Sequence, residues 1–392
     1  MARIISTVIV ALVVGALAAG GAVAASPRVV PGWPKSVGGG TVLAGPGGGV
    51  VVVSIGIGDP STTEFPFIVS AYRRTGRRLW SDRRVPGCGN CDDGRQPELL
   101  QADGTYGPIG FEGDDFWAVD PTGQEVLGCS GAVAADGTCF FVHSSYPSPS
   151  PAIVARTAAG ALLWSVTDAG YRWMPALDEP PVVGRDGAGL IYAAFGQGTD
   201  VATGATQPGR LIAVDPVTRA ILWSRTGQFE VLTALGTGML AARAAGLVAL
   251  GPDGSVLWSR PLPVAQTVAP VGTVYDAARD RLYIRRSGGG SPGVTALVAG
   301  TGAQVWRTRP SDRARLLSVG PGGRVYLAID APARRAVRAV RFADGRVVWQ
   351  RRTRLPVRGA RELANGMVAV SAGANPFSTT PADRLTLLDP RG

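Results

Sequence analysis

Few side chains in these 392 residues can carry covalent chemistry: four cysteines and one histidine stand among 55 glycines and 30 prolines. The cysteines come as Cys88-Gly-Asn-Cys91 and, further on, Cys129 and Cys139. Two disulfides are expected if the chain is exported to an oxidising compartment. A four-cysteine zinc site would need a second close pair, which Cys129 and Cys139 do not provide. A redox CxxC would need a surrounding βαβ unit, and the pattern around Cys88 shows none. Cys88, Cys91, Cys129 and Cys139 are therefore read as disulfide cysteines, with their connectivity open.

The remaining chemistry is thin. His143 lacks an HExxH context and reads as a strand or loop residue. Asp92-Asp93 and Asp114-Asp115 lie outside any Asp-x-Asp-x-Asp-Gly loop, so solvated loop carboxylates are the simpler reading and no metal is assigned. No carboxylate pair suited to glycoside hydrolysis stands out. Gly38–Gly40 and Gly288–Gly290 do not lead into helices and read as hairpin connections, not phosphate cradles. No catalytic residue is assigned.

The elements that must position these side chains begin with the N-terminus. One cation, Arg3, precedes an uncharged run from Ile4 to Ala25. Ala22-Val23-Ala24 or Val23-Ala24-Ala25 offers a signal-peptidase site, and the run is also long enough to span a bilayer. Residues 1–25 are expected to be a signal peptide or membrane anchor. Everything after Ser26 is then extracytoplasmic, secreted or tethered to the cytoplasmic membrane.

Beyond it one phrase recurs. It reads Leu211-Ile-Ala-Val-Asp215-Pro-Val-Thr-Arg219-Ala-Ile-Leu-Trp223, then Leu247-Val-Ala-Leu250-Gly-Pro-Asp-Gly254-Ser-Val-Leu-Trp258, then Val294-Thr-Ala-Leu-Val298-Ala-Gly-Thr-Gly302-Ala-Gln-Val-Trp306. Gly76 to Trp80, Gly160 to Trp164 and Gly345 to Trp349 repeat the spacing, and Trp117 to Leu127 is a degenerate copy. Alternating strands around an Asp/Pro/Thr/Gly turn make a β-hairpin that ends on a large aromatic. A second turn-and-strand phrase lies upstream, as in Gly184-Arg-Asp-Gly-Ala-Gly-Leu-Ile-Tyr192 and Gly320-Pro-Gly-Gly-Arg-Val-Tyr-Leu327. Together they make four-stranded antiparallel sheets of about 40 to 50 residues, the size of a propeller blade.

The expected blades end at residues 80, 127, 164, 223, 258, 306 and 349. Arg384-Leu-Thr-Leu-Leu388-Asp-Pro-Arg-Gly392 starts an eighth hairpin, and Arg28-Val-Val-Pro-Gly-Trp33 supplies its missing outer strand. The fold class is thus all-β, an eight-bladed propeller over residues 26–392 as a single domain, closed by its terminal segments. Trp33, Trp80, Trp164, Trp223, Trp258, Trp306 and Trp349 are expected to dock neighbouring blades.

The Ala-x-Asp-x-x-Thr-Gly-x-x-x-Trp phrase resembles the PQQ-like repeat of quinoprotein dehydrogenases and of outer-membrane-assembly propeller lipoproteins. In the dehydrogenases the resemblance implies pyrroloquinoline quinone (PQQ) in the central funnel, a Ca²⁺ beside it and an aspartate base. They carry a disulfide between adjacent cysteines, unlike Cys88-Gly-Asn-Cys91. In the lipoproteins it implies a lipobox cysteine, whereas no cysteine precedes Cys88. The expected function is therefore a non-enzymatic, exported binding scaffold at the cell envelope, without a cofactor. The alternative is a PQQ- and Ca²⁺-dependent oxidoreductase.

Composition points to partners. Of 39 basic residues Lys35 is the single lysine, and the net charge is +10. Arg73, Arg74, Arg77, Arg78, Arg83 and Arg84 lie in the first blade, and a second cluster runs from Arg334 to Arg361. If these blades adjoin, one basic sector attracts anionic lipid or envelope polymer. An envelope protein or polymer partner, no nucleic acid and a monomeric state are expected. The longest interval between repeat tryptophans, 164 to 223, carries Tyr171, Trp173 and a Gly/Thr-rich loop with Asp200, a possible binding loop. Trp117 and Trp173, outside the repeat register, read as packing residues.

Overall fold

The computed structural model describes residues 26–37, 41–55, 67–84, 106–112, 115–127, 129, 131–143, 152–167, 182–195, 198–199, 203–243, 246–261, 266–268, 273–288, 293–331, 334–373 and 384–391. The N-terminal segment 1–25, Cys88, Cys91, Tyr171, Trp173 and Asp200 lie outside them.

Short aliphatic runs broken by Gly, Pro and Asp give the backbone period two and never 3.6. The described residues accordingly form antiparallel sheets with single 3-10 turns. Eight successive blades occupy residues 41–84, 106–127, 132–167, 182–226, 230–261, 266–307, 314–352 and 357–389. Among the described residues blade 2 has three strands, blade 6 has five, and the other six have four. The fourth strand of blade 8 is N-terminal: Arg28 pairs with Asp389 and Val29 with Leu388. That strand stops at Val29, so Trp33 follows a turn at Pro31–Gly32 instead of lying within the outer strand, as Trp80, Trp223, Trp258 and Trp349 do.

Trp33 nevertheless does a seam residue's work. Its indole N–H donates to the Arg74 carbonyl in the blade 1 turn, 2.8 Å away, and its ring meets Tyr72. Trp33, Val42, Val50, Leu363, Met367 and Leu387 share one buried cluster that joins blades 8 and 1. The same donation recurs around the ring. Trp223 reaches the Pro252 carbonyl at 2.8 Å, Trp258 that of Ala299 at 2.7 Å, and Trp306 that of Phe342 at 2.8 Å.

Four of the indoles lie on a turn glycine of the next blade. A Cβ on Gly123 would stand 2.8 Å from Trp80, on Gly254 2.8 Å from Trp223, on Gly302 2.6 Å from Trp258 and on Gly345 3.0 Å from Trp306. All four glycines also have positive φ, between 68° and 94°. Blade 4 departs: Arg219 holds φ 61° where the others have glycine. Trp164 of blade 3 forms no indole hydrogen bond among the described residues and packs on Phe140 and in a cluster with Ile191 and Val214.

Two buried carboxylates tie blades on the inner side. Asp186, 2% exposed, accepts the Tyr192 hydroxyl at 2.9 Å and the Gly238 amide of blade 5 at 2.8 Å. Glu362 of blade 8, 6% exposed, accepts the Tyr326 hydroxyl of blade 7 at 2.8 Å. Burial first, then these carboxylates, raise both phenols above their usual 10.0. Blade 3 is closed covalently by the Cys129–Cys139 disulfide.

Two outcomes follow. Gly302→Ala combines a left-handed residue with overlap against Trp258 and is expected to lower stability by about 2–4 kcal/mol, whereas Arg219→Gly gains about 1 kcal/mol; denaturant midpoints check both. A phenol whose folded pKa is raised contributes stability in full below its unfolded value of 10.0 and loses it as pH rises towards the folded value, so stability falls with pH above about 10. The Tyr192→Phe and Tyr326→Phe double variant should show a shallower fall, and an unchanged slope would refute the assignment.

Candidate functional site: an arginine-lined loop face

Antiparallel alternation sorts every connection in the ring. Links between the first and second, and third and fourth, strands of a blade lie on one side, the turn face. Links between the second and third strands, and from blade to blade, lie on the other, the loop face. Turn chemistry places carboxylates on the turn face: Asp215 and Asp253 cap their own turns by accepting the Val217 and Ser255 amides. Hydrogen bonds from those turns hold both carboxyls below the usual range.

The loop face of blades 6 to 8 is the opposite. Arg285 and Arg286 end the second strand of blade 6, and Arg307, Arg309 and Arg313 surround the link into blade 7. Arg315 and Arg358 open the innermost strands of blades 7 and 8, beside the axis of the ring. Arg307, Arg309 and Arg313 are exposed, while Arg285, Arg315 and Arg358 are partly buried.

Arg315 crosses the seam, donating from Nη2 to the Val357 carbonyl and from Nη1 to that of Arg358. Burial pushes it down to about 10, and the charges of Arg285 and Arg358 press the same way against the pull of Asp330. Burial, then Arg307 and Arg260, lowers Arg286 as well. Burial also lowers Arg285. One oxygen of Asp330 and the Arg286 Nε are buried without a hydrogen-bond partner among the described residues. The arrangement is a concentration of forked cationic donors with little counter-charge, able to hold oxyanions.

The basic sector expected at the joined first and last blades is corrected in its parts. Blades 8 and 1 do adjoin, but the arginines divide. Arg334 and Arg338 are held by buried Asp312 at 2.8 and 2.6 Å, and Arg341 and Arg346 by Asp344. Arg73, Arg74 and Arg77 are exposed on the turn face. Arg335, Arg354 and Arg358 belong to the loop face with Arg285 to Arg315, which the clusters in the sequence had missed; position at a strand end next to a blade-to-blade link is the signal that would have found them. His143 ends a strand opposite Ala152. Among the described residues no three His, Cys, Asp or Glu side chains converge as metal ligands.

Crowded like charges make salt stabilising here, because screening relieves their repulsion. The thermal midpoint is expected to rise from low to high sodium chloride, and by less in Arg286→Gln with Arg307→Gln. A midpoint that falls with salt in the unaltered chain would contradict the electrostatic picture.

Residues 290–391 match the family model described as outer membrane protein assembly factor BamB. No curated protein matches the chain. Quinohemoprotein alcohol dehydrogenase from Comamonas testosteroni is 13% identical over 92% of this chain and 76% of its own, with a TM-score of 0.51. The Dos1 propeller is 8% identical, covering 92% and 95%, with a TM-score of 0.50. BamB from Moraxella catarrhalis is 14% identical, covering 93% and 96%, at a TM-score of 0.35 that carries no argument. At such identities the likenesses show fold alone. Repeat phrase and blade architecture agree that the chain is an eight-bladed β-propeller, similar over residues 290–391 to that family model.

Proposed function

We propose that this propeller is a binding scaffold of the cell envelope, working outside the cytoplasm and tethered or released by its N-terminal segment. The observation that carries the reading is the division of labour among polar side chains. Asp186, Glu362 and the indole N–H groups are spent on joints between blades. The loop-face arginines of blades 6 to 8 hold charge beyond what those joints use. A rigid ring displaying a cationic face on its connections is built to hold a partner. The match of residues 290–391 to a family described as an outer-membrane assembly factor supports an envelope setting. No helix among the described residues is long and apolar enough to cross a membrane.

A quinone-dependent oxidoreductase is the second reading, favoured by one feature. Arg315 and Arg358 open the innermost strands of blades 7 and 8 beside the ring axis, and guanidinium charge there suits the carboxylates of such a quinone. Bound there, a quinone would accept two electrons; these arginines would orient it and hold its charge. The described residues do not supply a converging calcium-ligand set.

Affinity capture from solubilised envelope with the full chain tests the first reading. A specific envelope component should be retained, and lost when Arg307, Arg309 and Arg313 are changed to Glu. Retention indifferent to those charges would reject it. Saturable binding of pyrroloquinoline quinone with Ca²⁺-dependent dye reduction would install the second reading instead.

A further inference from the structure

Resting on the scaffold reading, we infer that the arginine face of blades 6 to 8 holds a flexible phosphate-rich polyanion, and holds it on the side of the ring away from the N-terminal segment. The first part of the argument is where the chain enters. At the seams of blades 4 and 5, and 5 and 6, an arginine two residues after the docking tryptophan donates to the carbonyl of the next blade's turn glycine: Arg225 to Gly254, Arg260 to Gly302. At the seam of blades 7 and 8, Arg351 donates to the Pro27 carbonyl, 2.8 Å away. Pro27 therefore stands where a turn glycine stands elsewhere, and the chain leading from residues 1–25 joins the ring on the turn face. A ring tethered through that segment turns its loop face outward.

The second part is what the loop face offers. Exposed Arg309, Arg313 and Arg354 lead inward to Arg285, Arg315 and Arg358. Among the described residues of blades 6 to 8 its acids are Asp312, already shared by Arg334 and Arg338, and Asp330. Arg315 already donates to the Val357 and Arg358 carbonyls and Arg358 to that of Gly373, so the recessed arginines add to the field while the exposed rim makes the contacts. A flexible chain with a charge at each repeat follows that rim, and guanidinium forks match phosphoryl oxygens bidentately. Phosphodiester glycopolymers and inorganic polyphosphate share that chemistry.

The test uses the full chain in detergent and fluorescently labelled inorganic polyphosphate. Binding should weaken steeply with salt, as for linear polyanions generally. The exposed-rim variant Arg313→Glu, Arg335→Glu, Arg354→Glu should lose at least roughly tenfold in affinity, while turn-face Arg73→Glu, Arg74→Glu, Arg77→Glu should change it less than about twofold. Competition by a purified phosphodiester glycopolymer would name the envelope source; its absence would leave soluble polyphosphate. The inference is overturned if the rim variant binds normally, if the turn-face variant loses as much, or if phosphatidylglycerol vesicles bind while polyphosphate does not. Loss of polyphosphate binding with envelope capture intact would sink this inference alone; failure of both would sink the scaffold reading.

Discussion

The ring depends on a contact that a side chain would block: an indole laid against a turn glycine of the following blade. Gly123, Gly254, Gly302 and Gly345 meet two demands at once, a positive φ that closes the turn and a bare α-carbon that admits the tryptophan. Either demand alone could be met by another residue at a cost of about 1–2 kcal/mol, but a Cβ also pushes the indole off its acceptor carbonyl. At the seam of blades 3 and 4 the left-handed residue is Arg219, and Trp164 packs on Phe140 and beside Ile191 and Val214.

Closure uses the same contact with different chain. Arg28–Val29 completes blade 8, Pro27 receives Arg351 as a turn glycine would, and Trp33 reaches the blade 1 turn. This joint decides more than stability. It puts the entry of the N-terminal segment on the turn face, where short turns require aspartate, and leaves the blade-to-blade links and their arginines on the opposite face. In blades 6 to 8 the loop face is thereby cationic, opposite the side on which the N-terminal segment enters. Arg315 links the two themes, since it bonds the backbone of the next blade while its neighbours crowd it with like charge.

Much of the fold was legible because the seam needs particular residues at a fixed spacing: glycine, then tryptophan four positions on. The blade boundaries and the terminal joint follow from that spacing. The exact path to Trp33 was not legible, because nothing in Arg28-Val-Val-Pro-Gly-Trp33 says that the strand ends at Val29 and a turn intervenes. Asp186 reads in the sequence as an ordinary turn residue; only the blade packed over it makes it a buried acceptor. The arginines were hardest to sort. Neighbours in sequence such as Arg341 and Arg335 lie on opposite faces, since one strand carries the chain from one side of the ring to the other. Composition shows the charge, and strand direction alone shows where it collects.

The most direct measurement is amide hydrogen exchange across residues 26–37 of the full chain, compared with the inner strands of blades 7 and 8. The Val30 and Lys35 amides donate to the Leu387 and Leu385 carbonyls, so protection there approaching that of Val368–Ala372 is expected. Exchange of Val30 and Lys35 at the rate of an unstructured peptide, with blade 8 otherwise protected, would contradict closure by the N-terminal strand and with it the entry of the N-terminal segment on the turn face.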